Sequence, residues 1–267
     1  MKIRIDKEIV LDKEYMESDV IEVTFSKNVK YVGNMAFLNC KKLKKVLFEG
    51  DSIELGYQCF AGCRKLEEIA LPKMTHIPYK CFYCSGLKKV ALPANLIEIG
   101  SYAFGCCKLV ELNFPNSLLS IGSYAFIWGG NLDSIDLKNV INLSNGSFMG
   151  CKIKTMSIKN YFDEIPYQCF YKCDFDYVEI KWVEHNCPTL YPLSFGGNPK
   201  MTIKICELVN CNRDSFFIDD HPYYLFYVIK PYKDMKILVP NKNERDFGEI
   251  KVEIYETEEH FGNVCKS

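Results

Sequence analysis

The chain has 267 residues, of which 33 are basic and 34 acidic, and its net charge is −1. This near-neutral balance predicts no general attraction to nucleic acid or to anionic lipid. No apolar stretch reaches the roughly 18 residues that a membrane span needs, and residues 1–19 lack the apolar core of a secretory signal. We therefore expect no nucleic-acid partner and no membrane insertion. Met1 is compatible with a native start and with an initiator added where a leader was trimmed away.

One sequence unit recurs along most of the chain, and its clearest copy is LIEIGSYAFGCCKLVELNFP at residues 96–115. A phenylalanine marks each copy, with separations of 23, 22, 22, 22, 22, 22 and 25 residues: Phe37, Phe60, Phe82, Phe104, Phe126, Phe148, Phe170 and Phe195. A fixed period of this size is typical of a stacked array in which each coil contacts only its neighbours.

Residues 1–19 precede the first copy and are predicted to form an N-terminal cap. Ile3, Ile5, Ile9 and Leu11 are expected to form a short hairpin over the apolar face of the first coil, because a terminal repeat must be covered.

Residues 20–205 are predicted to be a solenoid of eight to nine coils. Each copy opens with an apolar pattern such as Leu66, Ile69 and Leu71, whose final alternation is typical of a half-buried strand. Gly or Pro at the bends leaves no room for a long helix. The predicted fold class is therefore a mostly β solenoid, with one parallel strand per coil of about 22 residues, short convex turns or single helical turns, and β caps at its ends.

Residues 206–267 lose the repeat register and are predicted to form a C-terminal β cap and a tail. Three segments there have strand-like patterns: Tyr223–Ile229, Met235–Pro240 and Glu249–Tyr255. Such strands would bury the open edge of the last coil, which is otherwise an aggregation site.

The 14 cysteines are explained mainly by the repeat register. Nine occupy repeat positions and are interpreted as small buried side chains of the core: Cys40, Cys59, Cys63, Cys81, Cys84, Cys107, Cys151, Cys169 and Cys173. Equivalent cysteines of adjacent coils would lie about 4.8 Å apart, but their parallel Cβ vectors disfavour a disulfide. We expect mostly free, poorly accessible thiols, no metal site and no cofactor. Cys106, Cys187, Cys206, Cys211 and Cys265 fall outside the register.

The repeat resembles the BspA-like (Treponema-type) class of leucine-rich repeats, which reads L-x-x-I-x-L-P-x-x-L-x-x-I-G-x-x-A-F-x-G-C. Residues 66–72 and 96–104 match this pattern closely, and Gly62-Cys63 supplies its end. The resemblance covers roughly residues 20–205. It departs at Trp128-Gly129-Gly130, where Gly-Cys is usual, and at Pro78 and Pro166, where Gly is usual. The class implies a surface or secreted adhesion and host-interaction role.

No catalytic motif is evident in the sequence. The four histidines lie in different contexts without a recognisable nucleophile, and no Gly-rich phosphate loop is present. We therefore expect a non-enzymatic protein.

The side chains between the buried positions of each strand are expected to line a concave face. One column alternates in sign through Glu22, Lys45, Glu68, Lys89 and Glu111, so these charges can satisfy one another or recognise a partner. The candidate partner-binding residues are the following: Glu111, Asn113, Asp136, Tyr177, Glu179 and Trp128.

The sequence thus predicts a repeat module, expected to be a monomer, that binds a protein or a glycan through its concave face. An intracellular scaffold or regulatory protein is the alternative, and metal or redox binding through the cysteines is a third reading. The resemblance favours a cell-surface or secreted location, whereas the missing signal peptide and the many thiols favour the cytoplasm.

Overall fold

The fold is a parallel β-solenoid of about eight turns. The computed structural model describes residues 1–158, 164–181, 189–190, 194, 202–206, 236–240 and 251–255. Most of the described coils contribute a longer strand, a two-residue strand and an arc of turns around the repeat phenylalanine, and none of the described residues is helical. This architecture confirms the predicted fold class.

The strands fall into two sets. The longer strands are β1 (Lys2–Ile5), β3 (Glu22–Phe25), β5 (Lys45–Phe48), β7 (Glu68–Ala70), β9 (Lys89–Ala91), β12 (Asn131–Asp136), β14 (Lys152–Ile158), β16 (Tyr177–Lys181), β18 (Thr202–Cys206), β19 (Lys236–Pro240) and β20 (Lys251–Tyr255). The short strands are β2 (Ile9–Val10), β4 (Tyr31–Val32), β6 (Glu54–Leu55), β8 (His76–Ile77), β10 (Glu98–Ile99), β11 (Ser120–Ile121), β13 (Asn142–Leu143), β15 (Glu164–Ile165) and β17 (Thr189–Leu190).

Every strand pair is parallel and joins neighbouring coils. The longer strands form the sheets β1-β3-β5, β7-β9 and β12-β14-β16-β18-β19-β20, and their solvent side is called the strand face below. The short strands form the sheets β2-β4-β6, β8-β10-β11-β13 and β15-β17. In β5, for example, the buried Val46 lies between the exposed Lys45 and Leu47, as the period of a pleated strand requires.

The repeat phenylalanines form a continuous column inside the stack. From Phe37 to Phe170 their rings are fully buried and stack nearly parallel, with centroids 5.1–5.7 Å apart. Tyr15 extends this column into the first coil, 5.1 Å from Phe37. From Phe60 to Phe148, each ring therefore packs against another phenylalanine on both sides, which is why the period of the sequence fixes the stack.

The arc around each phenylalanine has left-handed backbone two residues before and two residues after it. In the fourth copy these residues are Tyr102 (φ 58°) and Cys106 (φ 57°). Their N–H groups and that of Phe104 donate to carbonyls of the next coil over 3.0, 2.7 and 2.8 Å. These hydrogen bonds between coils hold residues other than glycine in a conformation that they rarely adopt. The outer surface of the arcs is called the turn face below.

The N-terminal hairpin prediction is wrong. Strand β1 pairs in parallel with β3, and β2 pairs in parallel with β4, so residues 2–10 form one more coil of the stack. Lys2 lies opposite Glu22 and Ile3 opposite Val23, because the alternation of the first strand matches that of the repeats. The first coil is thus covered by a continuation of the solenoid.

At the C-terminal end, β19 and β20 also extend the parallel sheet beyond β18. The predicted strands at Met235–Pro240 and Glu249–Tyr255 correspond to these two elements. The segment Tyr223–Ile229 and the final tail lie outside the described residues, and the domain boundaries at 19/20 and 205/206 stay predictions.

The strand pattern of the repeat also occurs at Leu109, Leu112 and Phe114, but no strand forms there. Leu109 bridges to Gly130, 21 residues ahead, whereas the repeat places Leu112 opposite Ile135, which is 23 residues ahead. Two different offsets cannot be met by one regular ladder, so residues 112–115 leave the sheet.

The cysteines agree with the core interpretation except at one position. All ten cysteines that are described are free, and eight of them are buried. Several thiols donate to the carbonyl of a repeat phenylalanine in the preceding coil, as Cys151 does to Phe126 over 2.8 Å. Cys84, placed in the core by sequence, is instead half-buried at the outward-facing left-handed position, and Ser85 takes the buried site.

Candidate functional site

A cavity lies where the longer strands are interrupted. It has a volume of ≈ 210 Å³ and lies between residues 112–118 and the end of β12. Its polar lining includes Asn113, Ser134, Asp136, Lys138 and Asn139. Leu112, Leu118 and Val140 belong to the buried core beneath it. The cavity is smaller than a typical drug-sized pocket, so its size suits one side chain or one sugar ring of a larger partner.

Hydrogen bonds fix two of the polar side chains at this cavity. The backbone N–H of Lys138 donates to Oδ1 of Asp136 over 3.1 Å, which holds the carboxylate at the end of β12. Nδ2 of Asn139 donates to Oδ1 of Asn116 over 3.2 Å, across to the coil on the other side of the cavity. The carboxylate, the amides and the Lys138 ammonium together offer both donors and acceptors to a polar ligand.

Three of the predicted contact residues lie together at this site. Asn113 and Asp136 line the cavity, and both are exposed. Glu111 lies beside them, since its Oε1 accepts a hydrogen bond from Nδ2 of Asn113 over 3.4 Å. The prediction placed these residues on one face, and the interruption of the strand makes the concavity between them.

The other three predicted residues lie apart. Tyr177 and Glu179 are on β16, which is separated from β12 by β14. In that sheet Asp136 pairs with Ser157, and Ser157 with Glu179, which puts the Asp136 and Glu179 backbones about 10 Å apart by strand spacing. Trp128 lies on the turn face and is 50% exposed.

Charged side chains cover the strand face of the first coils. The register puts Glu22 opposite Lys45 and Glu68 opposite Lys89, in the alternating order that the sequence predicted. Most of the ion pairs form in other columns, for example Lys88–Glu67 at 2.9 Å and Lys154–Asp133 at 2.6 Å. Exposed pairs of this kind contribute only about 0–1 kcal/mol each, so they keep this face soluble more than they stabilise it.

A second, more open groove of ≈ 670 Å³ lies among these charges. Its lining is entirely charged: Lys44, Arg64, Lys65, Glu67, Glu68, Lys88 and Lys89. Lys88 is already paired with Glu67, and the groove lacks the apolar floor of the first cavity. We therefore regard the cavity beside Asp136 as the better candidate site.

Ser134, Lys138 and Asn139 were not among the predicted site residues. One signal in the sequence marks them: the distance from Leu109 to Leu132 is 23 residues and that from Leu132 to Ile153 is 21. Unequal neighbouring coils indicate a change of register, and Gly129-Gly130 provides the backbone for it, with Gly130 at φ 149°.

Neither a metal cluster nor a membrane-spanning helix is found in the described part of the chain. There, no three His, Cys, Asp or Glu side chains are grouped to hold a metal ion. A search of the same residues for a helix of sufficient length and apolarity to span a bilayer finds none.

The fold and its repeat define a leucine-rich repeat solenoid. The family model described as the BspA type leucine rich repeat region matches residues 8–132 and 119–219, with six copies. The chain therefore belongs to the BspA-type leucine-rich repeat family. None of the curated proteins compared with this chain matches it significantly.

Two solved structures illustrate the shared fold. A leucine-rich repeat protein from Bacteroides ovatus is 19% identical with a TM-score of 0.59, and the match covers 91% of this chain and 68% of that one. The pneumococcal vaccine antigen PcpA is 17% identical with a TM-score of 0.52, and the match covers 94% of this chain and 71% of that one. At such identities the likeness concerns the fold, and the family and these neighbours together support a repeat binding module.

Proposed function

We propose that this protein is a non-enzymatic adhesion or host-interaction module that binds a protein partner through the strand face. The observation that carries the proposal is the cavity at the strand interruption, where Asn113 and Asp136 meet over an apolar floor. Tyr177 and Glu179, two strands away in the same sheet, are proposed to extend the contact.

The chemistry of the strand face favours a protein as its partner. Its charged columns carry both signs in register, which suits the mixed charges of another protein surface better than a uniformly anionic polymer. A cavity of ≈ 210 Å³ can receive one anchoring side chain, and interfaces commonly depend on a few anchors of this kind.

The proposal is tested with purified protein and plates coated with a panel of purified extracellular-matrix proteins. For any matrix protein that binds, Asp136→Ala should weaken the affinity about tenfold, the effect of losing one anchoring contact. Asp133→Ala is the matched control: its carboxylate is on the same strand but pairs with Lys154 on the neighbouring strand and does not line the cavity. Equal affinities for both variants and the unchanged protein would refute the site.

A further inference from the structure

The turn face is free of acidic residues over seven coils. The seven arcs that run from three residues before to three residues after the repeat phenylalanines, Phe37 to Phe170, contain no aspartate or glutamate. Their only charged residues are Lys80 and Lys172, although the whole chain has 34 acidic residues. The turn face therefore differs in chemistry from the charged strand face, and the proposed strand-face function does not account for it.

Aromatic side chains are concentrated on this face in three successive coils. We call Tyr79, Tyr83, Tyr102, Tyr124 and Trp128 the aromatic patch. Tyr79 is 44% exposed and Trp128 is 50% exposed. Tyr102 stacks on Tyr124 with centroids 5.1 Å apart and makes edge contacts with Tyr79 and Tyr83 at 6.1 Å. These contacts join the four tyrosine rings into one surface, and Trp128 lies on the same arc as Tyr124, four residues further along the chain.

Two glycines of the next coil, Gly146 and Gly150, leave room for the rings of Tyr124 and Trp128 to pack against the backbone. A Cβ added at Gly150 would be 2.2, 2.5 and 2.6 Å from three consecutive ring atoms of Trp128, which places it above the ring face and not at the ring edge. A Cβ added at Gly146 would be 2.3 Å from Cε1 of Tyr124. Both glycines have left-handed backbone, with φ of 71° and 64°. One face of the Trp128 ring thus rests on the backbone of Gly150, while half of the side chain stays exposed to solvent.

The one cation of the patch is already partnered by its rings. The ammonium of Lys80 lies 5.0, 5.4 and 5.2 Å from the ring centroids of Tyr79, Tyr83 and Tyr102. Such cation–π contacts stabilise the charge and hold the rings in place. The patch therefore offers ring faces, phenol hydroxyls and few charges. Polar neighbours at equivalent arc positions are uncharged: Ser101, Ser123 and Asn145.

From this chemistry we infer that the aromatic patch binds a neutral glycan chain. Sugar rings have apolar C–H faces that stack on aromatic rings, and their hydroxyls pair with the hydroxyls and amides of this face. The lack of carboxylates and the partnered lysine give no reason for a charged ligand.

The experiment uses the full chain on a microarray of neutral and anionic glycans, followed by titration of the best neutral glycan. The double variant Tyr79→Ala, Trp128→Ala should lose at least about tenfold in affinity. Tyr57→Ala is the matched control for Tyr79. Both tyrosines lie three residues before a repeat phenylalanine, and Tyr57 has a similar exposure of 41%, but it lies one coil outside the patch. Gly150→Ala should also weaken binding, since it displaces the Trp128 ring without removing an aromatic group.

The outcomes separate this surface from the strand-face site. Binding that is lost in the aromatic variants and kept in Asp136→Ala supports the inference, whatever the result with matrix proteins. It is overturned if no neutral glycan binds, if the double variant binds as the unchanged protein does, or if only anionic glycans bind and high salt releases them. Far-UV circular dichroism of each variant establishes that the fold is intact.

Discussion

The column of stacked phenylalanines gives the sharpest prediction about stability, and Phe104 is its most informative member. Its ring is fully buried and lies 5.4 Å from Phe82 and 5.5 Å from Phe126. Replacing Phe104 with Ala would remove a complete ring between two others. The variant Phe104→Ala therefore tests whether the column stabilises the stack.

The expected loss is about 5 kcal/mol. Truncating a buried Phe to Ala costs about 3–5 kcal/mol, and each aromatic pair adds about 0.5–1.5 kcal/mol beyond its buried area. The neighbouring coils cannot close the gap easily, because the N–H groups of Phe82 and Phe104 each donate to the next coil over 2.8 Å. The cost should therefore lie at the upper end of the usual range.

Urea unfolding followed by far-UV circular dichroism measures this loss as a shift of the midpoint. Phe104→Leu keeps most of the volume and should cost less than about 2 kcal/mol. Tyr15→Ala is a second control, because Tyr15 stacks on one ring only and is partly buried. Solenoids can unfold in parts, so the slope of the transition must stay unchanged for the comparison to hold.

A loss below about 1.5 kcal/mol for Phe104→Ala, or a loss no larger than that of Tyr15→Ala, would refute the reasoning. Either result would mean that the hydrogen-bonded ladders hold the coils together without the aromatic column.

Two further predictions concern the buried thiols. Burial raises the pKa of Cys107 and Cys151 to about 12, above the ordinary value of 9.0. The unfolded chain therefore releases these protons at lower pH than the folded chain does. The free energy of unfolding is unaffected by these thiols below about pH 9, and above that pH each thiol lowers it by about 1.4 kcal/mol per pH unit. Calorimetric melting temperatures should drop steeply from about pH 9 to 10.5 and less steeply in Cys151→Ala; a flat profile would contradict this account. In maleimide labelling of the native protein, Cys84 and Cys106 should react before Cys151 and Cys173, which peptide mapping can establish, and equal rates would show that the arcs open readily.

Two residues of the candidate site were recognisable from the sequence. Asn113 and Asp136 were identified because alternation along a strand marks the side chains that face solvent. The cavity between them was not predicted, because it depends on the bridge between Leu109 and Gly130, which replaces the expected pairing of Leu112 with Ile135. Which of two registers is adopted depends on the pairing of whole coils and is not visible in one copy of the repeat.

For the cysteines too, the sequence predicted the buried positions but not the outward-facing ones. The sequence identified Cys151 and Cys173 as core residues from their position in the repeat, and both are buried. It assigned no place to Cys106 and placed Cys84 in the core, since nothing in the sequence indicates the left-handed backbone that turns both side chains outward. That conformation is held by hydrogen bonds from one coil to the next, such as the one from Cys106 N–H to Ile127 over 2.7 Å.

The stack follows from the repeat pattern, because a repeated set of apolar positions can be buried together only if the coils lie in register on one another. The positions where the stack departs from its repeat depend on contacts between coils. The first coil continues the sheet, the strand after Leu109 leaves it, and the aromatic patch forms where Gly146 and Gly150 leave room for the rings of Tyr124 and Trp128. These departures arise from contacts between residues about 20 apart in sequence, and a repeat pattern describes only what its copies share.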